Sequence, residues 1–216
     1  MKTRAIITGW TGTEFAKMAM YSLPLIEHYA KVHECLFACG NLCGPRPPSW
    51  LKVKLVEQAL QQVDEVAWID SDVIIEKFDV SIFSQLSEDA WQGLVEHDTA
   101  SGIIPNCGIW VLRKPMLSIL SEIWDSNQYI DHGWWEQAAI LERMGYKVVG
   151  TTAVREKDSL LFSKTSFLGS EWNHHPCDNR QVLNPRFRHV TQYPDRVSAA
   201  RYFAKKVESD LDEKFV

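Results

Sequence analysis

Asp70-Ser71-Asp72 lies between two apolar runs, Trp68-Ile69 before it and Val73-Ile74-Ile75 after it. Two carboxylates in such surroundings are costly to bury without a counter-charge. At the end of a buried strand they can face a cleft together. Paired hard oxygen ligands then suit Mg2+ or Mn2+, ions that also bind substrate phosphates. A metal held there would bridge the protein and a diphosphate and stabilise the charge on a departing nucleotide. Asp-Ser-Asp is equally good material for a turn or a helix cap. The cost of placing unpaired charges beside apolar segments favours the metal site.

The elements around the triplet must bring other groups to it. Val66-Ala67-Trp68-Ile69 is short and fully apolar, as a strand buried on both faces requires. A first strand is expected over residues 4–9, ending at Gly9-Trp10-Thr11-Gly12. Helical spacing then runs from Thr13 to about His33 through Phe15, Met18, Ala19, Leu23, Ile26, Tyr29 and Ala30. Thr13 would cap this helix, and Pro24 would kink or divide it. Residues 35–39 read as a second strand, 40–49 as a Gly- and Pro-rich loop, and 49–62 as a second helix. Further on come a helical turn at 80–86, strands at 93–96 and 108–112, and helices at 115–124 and 134–144 with Gly145 as a stop. A strand at 147–149, an irregular stretch over 155–185 and a closing helix over about 195–213 complete the chain. Strands alternating with helices predict an α/β fold, one domain over residues 1–216, with a mostly parallel central sheet flanked by helices. Ligands in such sheets sit beyond the carboxyl ends of the strands, which directs attention to Gly9-Trp10-Thr11 and to the acidic triplet.

Composition narrows the function. The 216 residues are 45% hydrophobic, enough for a sizeable core, and carry a net charge of −5 without a basic stripe. That argues against a nucleic-acid partner and requires any bound phosphate to be neutralised locally. No apolar stretch is long enough for a membrane span. Ala5-Ile6-Ile7 gives way to Thr8-Gly9 too soon for a signal peptide. The five cysteines are an odd number, and Cys35, Cys39 and Cys43 lack the matching second pair of a zinc site. Free thiols and a cytoplasmic location are expected. The nine tryptophans suit sugar faces or an ordinary core equally.

Several segments in order resemble a known family. Pro48-Ser49-Trp50-Leu51-Lys52 opens a helix, and Asp64 to Ile75 carries the triplet. Asn106-Cys107-Gly108-Ile109, Trp135-Glu136-Gln137, Leu168-Gly169-Ser170-Glu171-Trp172-Asn173 and His189 follow. This series is similar to the core of GT-A-type nucleotide-sugar glycosyltransferases, nearest to the galactosyl/mannosyltransferase group. The resemblance implies a GT-A (Rossmann-like) fold. It also implies metal-dependent transfer of a hexose or pentose from a nucleotide-diphosphate sugar, UDP-sugar favoured, to a hydroxyl of a saccharide or other acceptor, with retention of configuration.

The same resemblance implies roles. Asp70, Asp72 and His189 would hold Mn2+ or Mg2+, and Asp70 and Ser71 would also touch the donor. Thr8, Gly9 and Trp10 would hold base and ribose, although Trp10 could instead pack the cleft edge. Lys52 would lie over the phosphates or be a solvated helix lysine. Asn106 and Gly108 would sit under the transferred sugar. Glu136 and Gln137 are the catalytic candidates, contacting sugar hydroxyls near the reacting carbon. Trp134 and Trp135 would form a sugar platform, one of them facing the core. The family's late histidine is often followed by a glycine that is missing after His189, and Arg196 is the candidate to supply positive charge to phosphate instead. Cys107 replaces a small hydroxyl residue. His174-His175 reads as plain loop, with a second metal site or an acceptor contact as alternatives. Outside this family, a D-x-D phosphatase or a non-catalytic nucleotide-sugar-binding module would use the same residue types. A sugar nucleotidyltransferase would need basic residues that Gly9-Trp10-Thr11-Gly12-Thr13-Glu14 lacks.

Overall fold

The computed structural model describes residues 2–100, 102–180 and 182–212. In chain order its elements are β1 (Arg4–Trp10), α1 (Gly12–Val32), β2 (Leu36–Asn41), α2 (Pro48–Gln62), β3 (Glu65–Ile69) and β4 (Val73–Ile75). Next are β5 (Gln92–Thr99), β6 (Gly102–Arg113), α3 (Met116–Trp124), α4 (Trp135–Arg143), β7 (Tyr146–Val149) and β8 (Thr152–Arg155). Last come α5 (Leu160–Ser163), β9 (Thr165–Leu168), β10 (Phe187–His189) and α6 (Arg196–Asp212).

Six strands form the central sheet in the order β2-β1-β3-β6-β5-β9. Five point the same way and β6 alone runs against them, so the sheet is mostly parallel, as expected. β3 sits near its middle and is buried along its whole length. Its side chains alternate between the two faces. Val66 and Trp68 join the apolar cluster under α2, α3 and α4, while Ala67 and Ile69 join the one under α1 and α6. That double burial is what an uninterrupted apolar strand is for.

Several boundaries differ from the sequence expectation for identifiable reasons. α1 begins after Thr11, not at Thr13, and runs unbroken through Pro24. Pro24 is exposed, so the carbonyl it leaves without an N–H partner faces water instead of the core. β5 and β6 are longer than their apolar stretches because they pair with each other beyond the core, with a register shift at Leu94/Val95. The segment 155–185 is less irregular than its composition suggests. It supplies α5 and the edge strand β9, which pairs in parallel with β5.

A second, two-stranded sheet matters most for function. β10 lies antiparallel to β4, with His189 opposite Val73 and Phe187 opposite Ile75. It returns a segment from late in the chain to the residue following the acidic triplet. Among the described residues no helix is long and apolar enough to cross a membrane.

Candidate functional site

β3 stops at Ile69, and the next three residues are fixed by their main chain. The Asp70 N–H donates to the Gly108 carbonyl on the neighbouring β6 (2.8 Å), and the Val73 N–H closes a tight turn on the Asp70 carbonyl (3.0 Å). The Ser71 carbonyl accepts the Ser22 hydroxyl of α1 at 2.6 Å. The Asp72 carbonyl accepts the Val190 N–H at 2.9 Å. Sheet, helix and the β4–β10 ribbon thus all hold the triplet, leaving its carboxylates to the cleft.

The ribbon delivers His189 to within 3.1 Å of Asp72, Nε2 to Oδ1. One ligand atom each from Asp70, Asp72 and His189 lies within 4.8 Å of the others. Both Asp72 and His189 are buried. Burial opposes charge on the imidazole, but the facing Asp72 carboxylate outweighs it and moves the His189 pKa up. Burial likewise opposes the Asp72 charge, and His189 reverses that, moving the carboxyl down. Each stabilises the charged form of the other.

Behind His189 runs a chain of amides with fixed sense. His189 Nδ1 lies 3.0 Å from Asn173 Oδ1. Asn173 Nδ2 donates to Asn106 Oδ1 at 2.8 Å, which also accepts the Gly108 N–H at 2.8 Å. Asn106 Nδ2 in turn donates to Gln137 Oε1 at 3.2 Å. A carbonyl oxygen can only accept, so Nδ1 of His189 carries a proton; Nε2 faces Asp72, donating there when the ring is charged and turning a lone pair to the carboxylates when it is neutral. Gln137 spends its oxygen on the network and offers its NH2 to the cleft it lines.

Lys52 is not a solvated helix lysine. It is 4% exposed, with Nζ 3.2 Å from Asp70 Oδ1 and 3.0 Å from Glu136 Oε1. It also donates to the Cys107 carbonyl at 3.1 Å. Burial opposes its charge, but Asp70 and the groups beside it hold the amine well above its ordinary pKa. Glu136 moves the other way from a simple ion pair: burial raises its pKa more than Lys52 lowers it. One ammonium shared between two carboxylates leaves Glu136 incompletely compensated. Its Oε2 is buried without a hydrogen-bond partner. The Cys107 thiol, also raised by burial, donates to Glu136 Oε1 at 3.3 Å.

These groups line one cleft of about 460 Å3. Trp10 ends β1 on one side of β3, and Asn106 to Gly108 of β6 lie on the other, with Trp135 and Glu136 beyond them. The cleft thus receives Gly9, Trp10, Lys52, Asp70, Ser71, Asp72, Asn106, Gly108, Trp134, Trp135, Glu136, Gln137, His175 and His189 of the residues singled out from sequence. Thr8 lies below its floor, buried in β1 with a hydroxyl that has no partner. Arg196 stands outside the lining, paired with Glu14 at 2.7 Å, though its charge still lowers the Asp72 pKa.

His174 and His175 are not plain loop. The His174 carbonyl accepts the His189 N–H at 2.8 Å. His175 is buried and lies 2.7 Å from His97, Nε2 to Nδ1. His97 Nε2 lies 2.7 Å from the Asn173 carbonyl. Since His175 Nδ1 accepts the Cys177 N–H at 3.1 Å, its proton is on Nε2, and the bonds run from His175 to His97 to Asn173. Sequence reading did not find His97. Its one signal is a polar residue at an inward position of β5, which means something only once His175 is known to face it.

No protein-family model matches the sequence, and no curated protein matches it. Its fold does match solved structures. The chain is similar to a glycosyltransferase involved in the glycosylation of the major capsid of PBCV-1, with TM-score 0.69 and 16% identity over 93% of this chain and 98% of that one. It is similar to the galactosyltransferase LgtC, solved with donor and acceptor sugar analogs, with TM-score 0.61 and 13% identity over 95% of each chain. GlyE of Streptococcus pneumoniae TIGR4 matches with TM-score 0.61 and 11% identity over 99% of this chain and 64% of that one. At these identities the likeness establishes the fold, which is GT-A.

Proposed function

We propose that this chain is a metal-dependent glycosyltransferase of the galactosyl/mannosyltransferase type, moving a sugar from a nucleotide-diphosphate donor to a hydroxyl acceptor. The observation that carries the reading is the convergence of Asp70, Asp72 and the Nε2 of His189 within 4.8 Å at the mouth of a cleft. Two carboxylates and a neutral imidazole form a donor set that suits Mn2+ or Mg2+. The proton that Asn173 fixes on Nδ1 of His189 leaves Nε2, once deprotonated, to present its lone pair beside the carboxylates, which fits that purpose. A divalent ion bound there supplies charge neutralisation for the donor diphosphate.

The protein's own residues divide the remaining work. Trp10, at the end of β1, offers a flat face to the nucleoside, while Gly9 before it makes room for Leu42 of the cleft wall. Gln137 presents a donor NH2 to sugar hydroxyls, and Glu136 beside it keeps one buried oxygen without a partner in the protein. Glu136 Oε1 is committed to Lys52 and Cys107, so we assign no enzyme nucleophile. Transfer with retention and a UDP-linked donor complete the reading. The phosphatase alternative is not favoured, because Asp70 Oδ1 is engaged by Lys52 at 3.2 Å and by the Trp68 indole instead of standing free for attack.

The test is a thermal-shift screen of nucleoside diphosphates and nucleotide sugars, each with and without Mn2+. A ligand that binds only the folded protein raises its melting temperature. Stabilisation by one nucleotide family only with metal, lost in Asp72→Ala, is the expected result. Equal shifts in Asp72→Ala, or none with any donor, would reject the assignment.

A further inference from the structure

Two indoles stand side by side ahead of Glu136, and they are placed differently. Trp134 is partly buried and packs on the cluster beneath α4. Its main-chain N–H donates to His132 Nδ1 at 3.0 Å, and the two rings meet edge to face. Both residues line the cleft, but Trp135 is the more exposed, at 42%. Its φ is +45°, in the left-handed region where Cβ crowds the backbone and which bulky residues rarely adopt. Main-chain bonds enforce the turn: the Trp135 N–H donates to His132 (2.9 Å) and the Gln137 N–H to Trp134 (3.0 Å). Glycine or asparagine would adopt this conformation at lower cost. The chain instead keeps a large apolar side chain there, strained and in water, one residue before Glu136. Strain of this kind persists where the surrounding structure maintains it for a purpose.

Position narrows what the indole would meet. β1 and β6 flank β3 on opposite sides. Trp10 ends β1, whereas Gln137 is bonded to Asn106 of β6. Trp10 and Trp135 therefore flank the acidic triplet from opposite sides. On the glycosyltransferase reading, on which this inference rests, the nucleoside takes the β1 side. Trp135 then stands on the far side, where a second substrate must approach. An exposed indole face suits a flat apolar surface with polar groups at its edge. A pyranose ring has such a face, made of axial C–H groups, with hydroxyls around it. We propose that Trp135 is the stacking platform for a pyranose of the acceptor, so that the acceptor is a saccharide.

The experiment is saturation-transfer NMR on the full chain with Mn2+ and UDP. Methyl β-glucopyranoside, methyl β-galactopyranoside and methyl α-mannopyranoside serve as probes. Saturation confined to the C–H groups of one ring face is expected for at least one glycoside. Its affinity should fall about tenfold in Trp135→Ala, the scale of one good aromatic contact, and largely return in Trp135→Phe. Trp135→Gly suits the backbone and guards against misfolding, and it should bind as poorly as the alanine variant. Equal affinity in wild type and Trp135→Ala overturns the proposal. So does the absence of any glycoside signal while Mn2+ and UDP still raise the melting temperature, an outcome that spares the glycosyltransferase reading. Loss of both responses removes the reading and the platform together.

Discussion

Gly108 and His189 compete for one space: a Cβ on Gly108 would lie 2.6 Å from Cε1 of the imidazole. The added methyl would also meet Asn106 Oδ1 at 2.9 Å. Gly108→Ala must therefore move His189, the proposed third metal ligand, or break the amide chain behind it. We expect a folded protein whose Mn2+ affinity, read by the EPR signal of free Mn2+, falls at least about tenfold. Unchanged affinity would mean that His189 is not a ligand.

Asn173 should matter through the tautomer it imposes. Replacing it by leucine removes the acceptor for His189 Nδ1–H and the donor to Asn106. Loss of about 10–100-fold in metal affinity is expected, the usual cost of removing a partner behind a ligand. Nitrogen-15 NMR of the imidazole, taken without metal and at a pH high enough to remove its second proton, should show the Nδ1–H form in the wild type and a tautomer mixture in Asn173→Leu.

Lys52 holds two carboxylates together, and removing it alone leaves Glu136 buried without its counter-charge. Lys52→Met should cost about 3–5 kcal/mol in denaturant unfolding. Adding Glu136→Gln should recover a large part of that loss, because the stranded charge goes with it. A double variant no more stable than the single one would show that packing, not charge, is at stake.

Acid should destabilise the protein through its inward histidines. Burial, with the neighbouring imidazole of His175, holds His97 down to about 3. Burial, with His189, holds His175 down to about 4. Asp178 opposes both shifts weakly. In the unfolded chain each would titrate near about 6.5. Between those values the unfolded state binds more protons, so stability is complete above about pH 6.5 and is lost as pH falls toward 4. His97→Gln should flatten the dependence of melting temperature on pH across that window. An unaltered profile would place the acid sensitivity elsewhere.

What the sequence made legible follows from range. β3 and its triplet are readable because burial on both faces leaves an uninterrupted apolar run, and the carboxylates that end it stand out. The stripe of Trp50, Val53, Val56 and Leu60 on α2 is readable for the same local reason. Burial of Lys52 between those positions is not, since its partners Asp70 and Glu136 come from elsewhere in the chain. β4 and β10 span only three residues each, too short for any periodicity, so the route that brings His189 home is invisible locally. His189 itself was found only through the family resemblance. The bond between His97 and His175 is likewise a matter of pairing between distant segments.

The β4–β10 ribbon has a kinetic consequence. Asp72 and His189 stand at the two ends of a loop that includes β5, β6, α3, α4 and β9. Closing a loop that long is entropically unrewarded until the intervening elements have packed, so the ribbon zips late. The centre is then expected to close late in folding, and an ion held by Asp70, Asp72 and His189 would serve as a clasp. Chains in which the ribbon is still open would carry the two aspartates without the imidazole, and so would lack the complete set of candidate ligands.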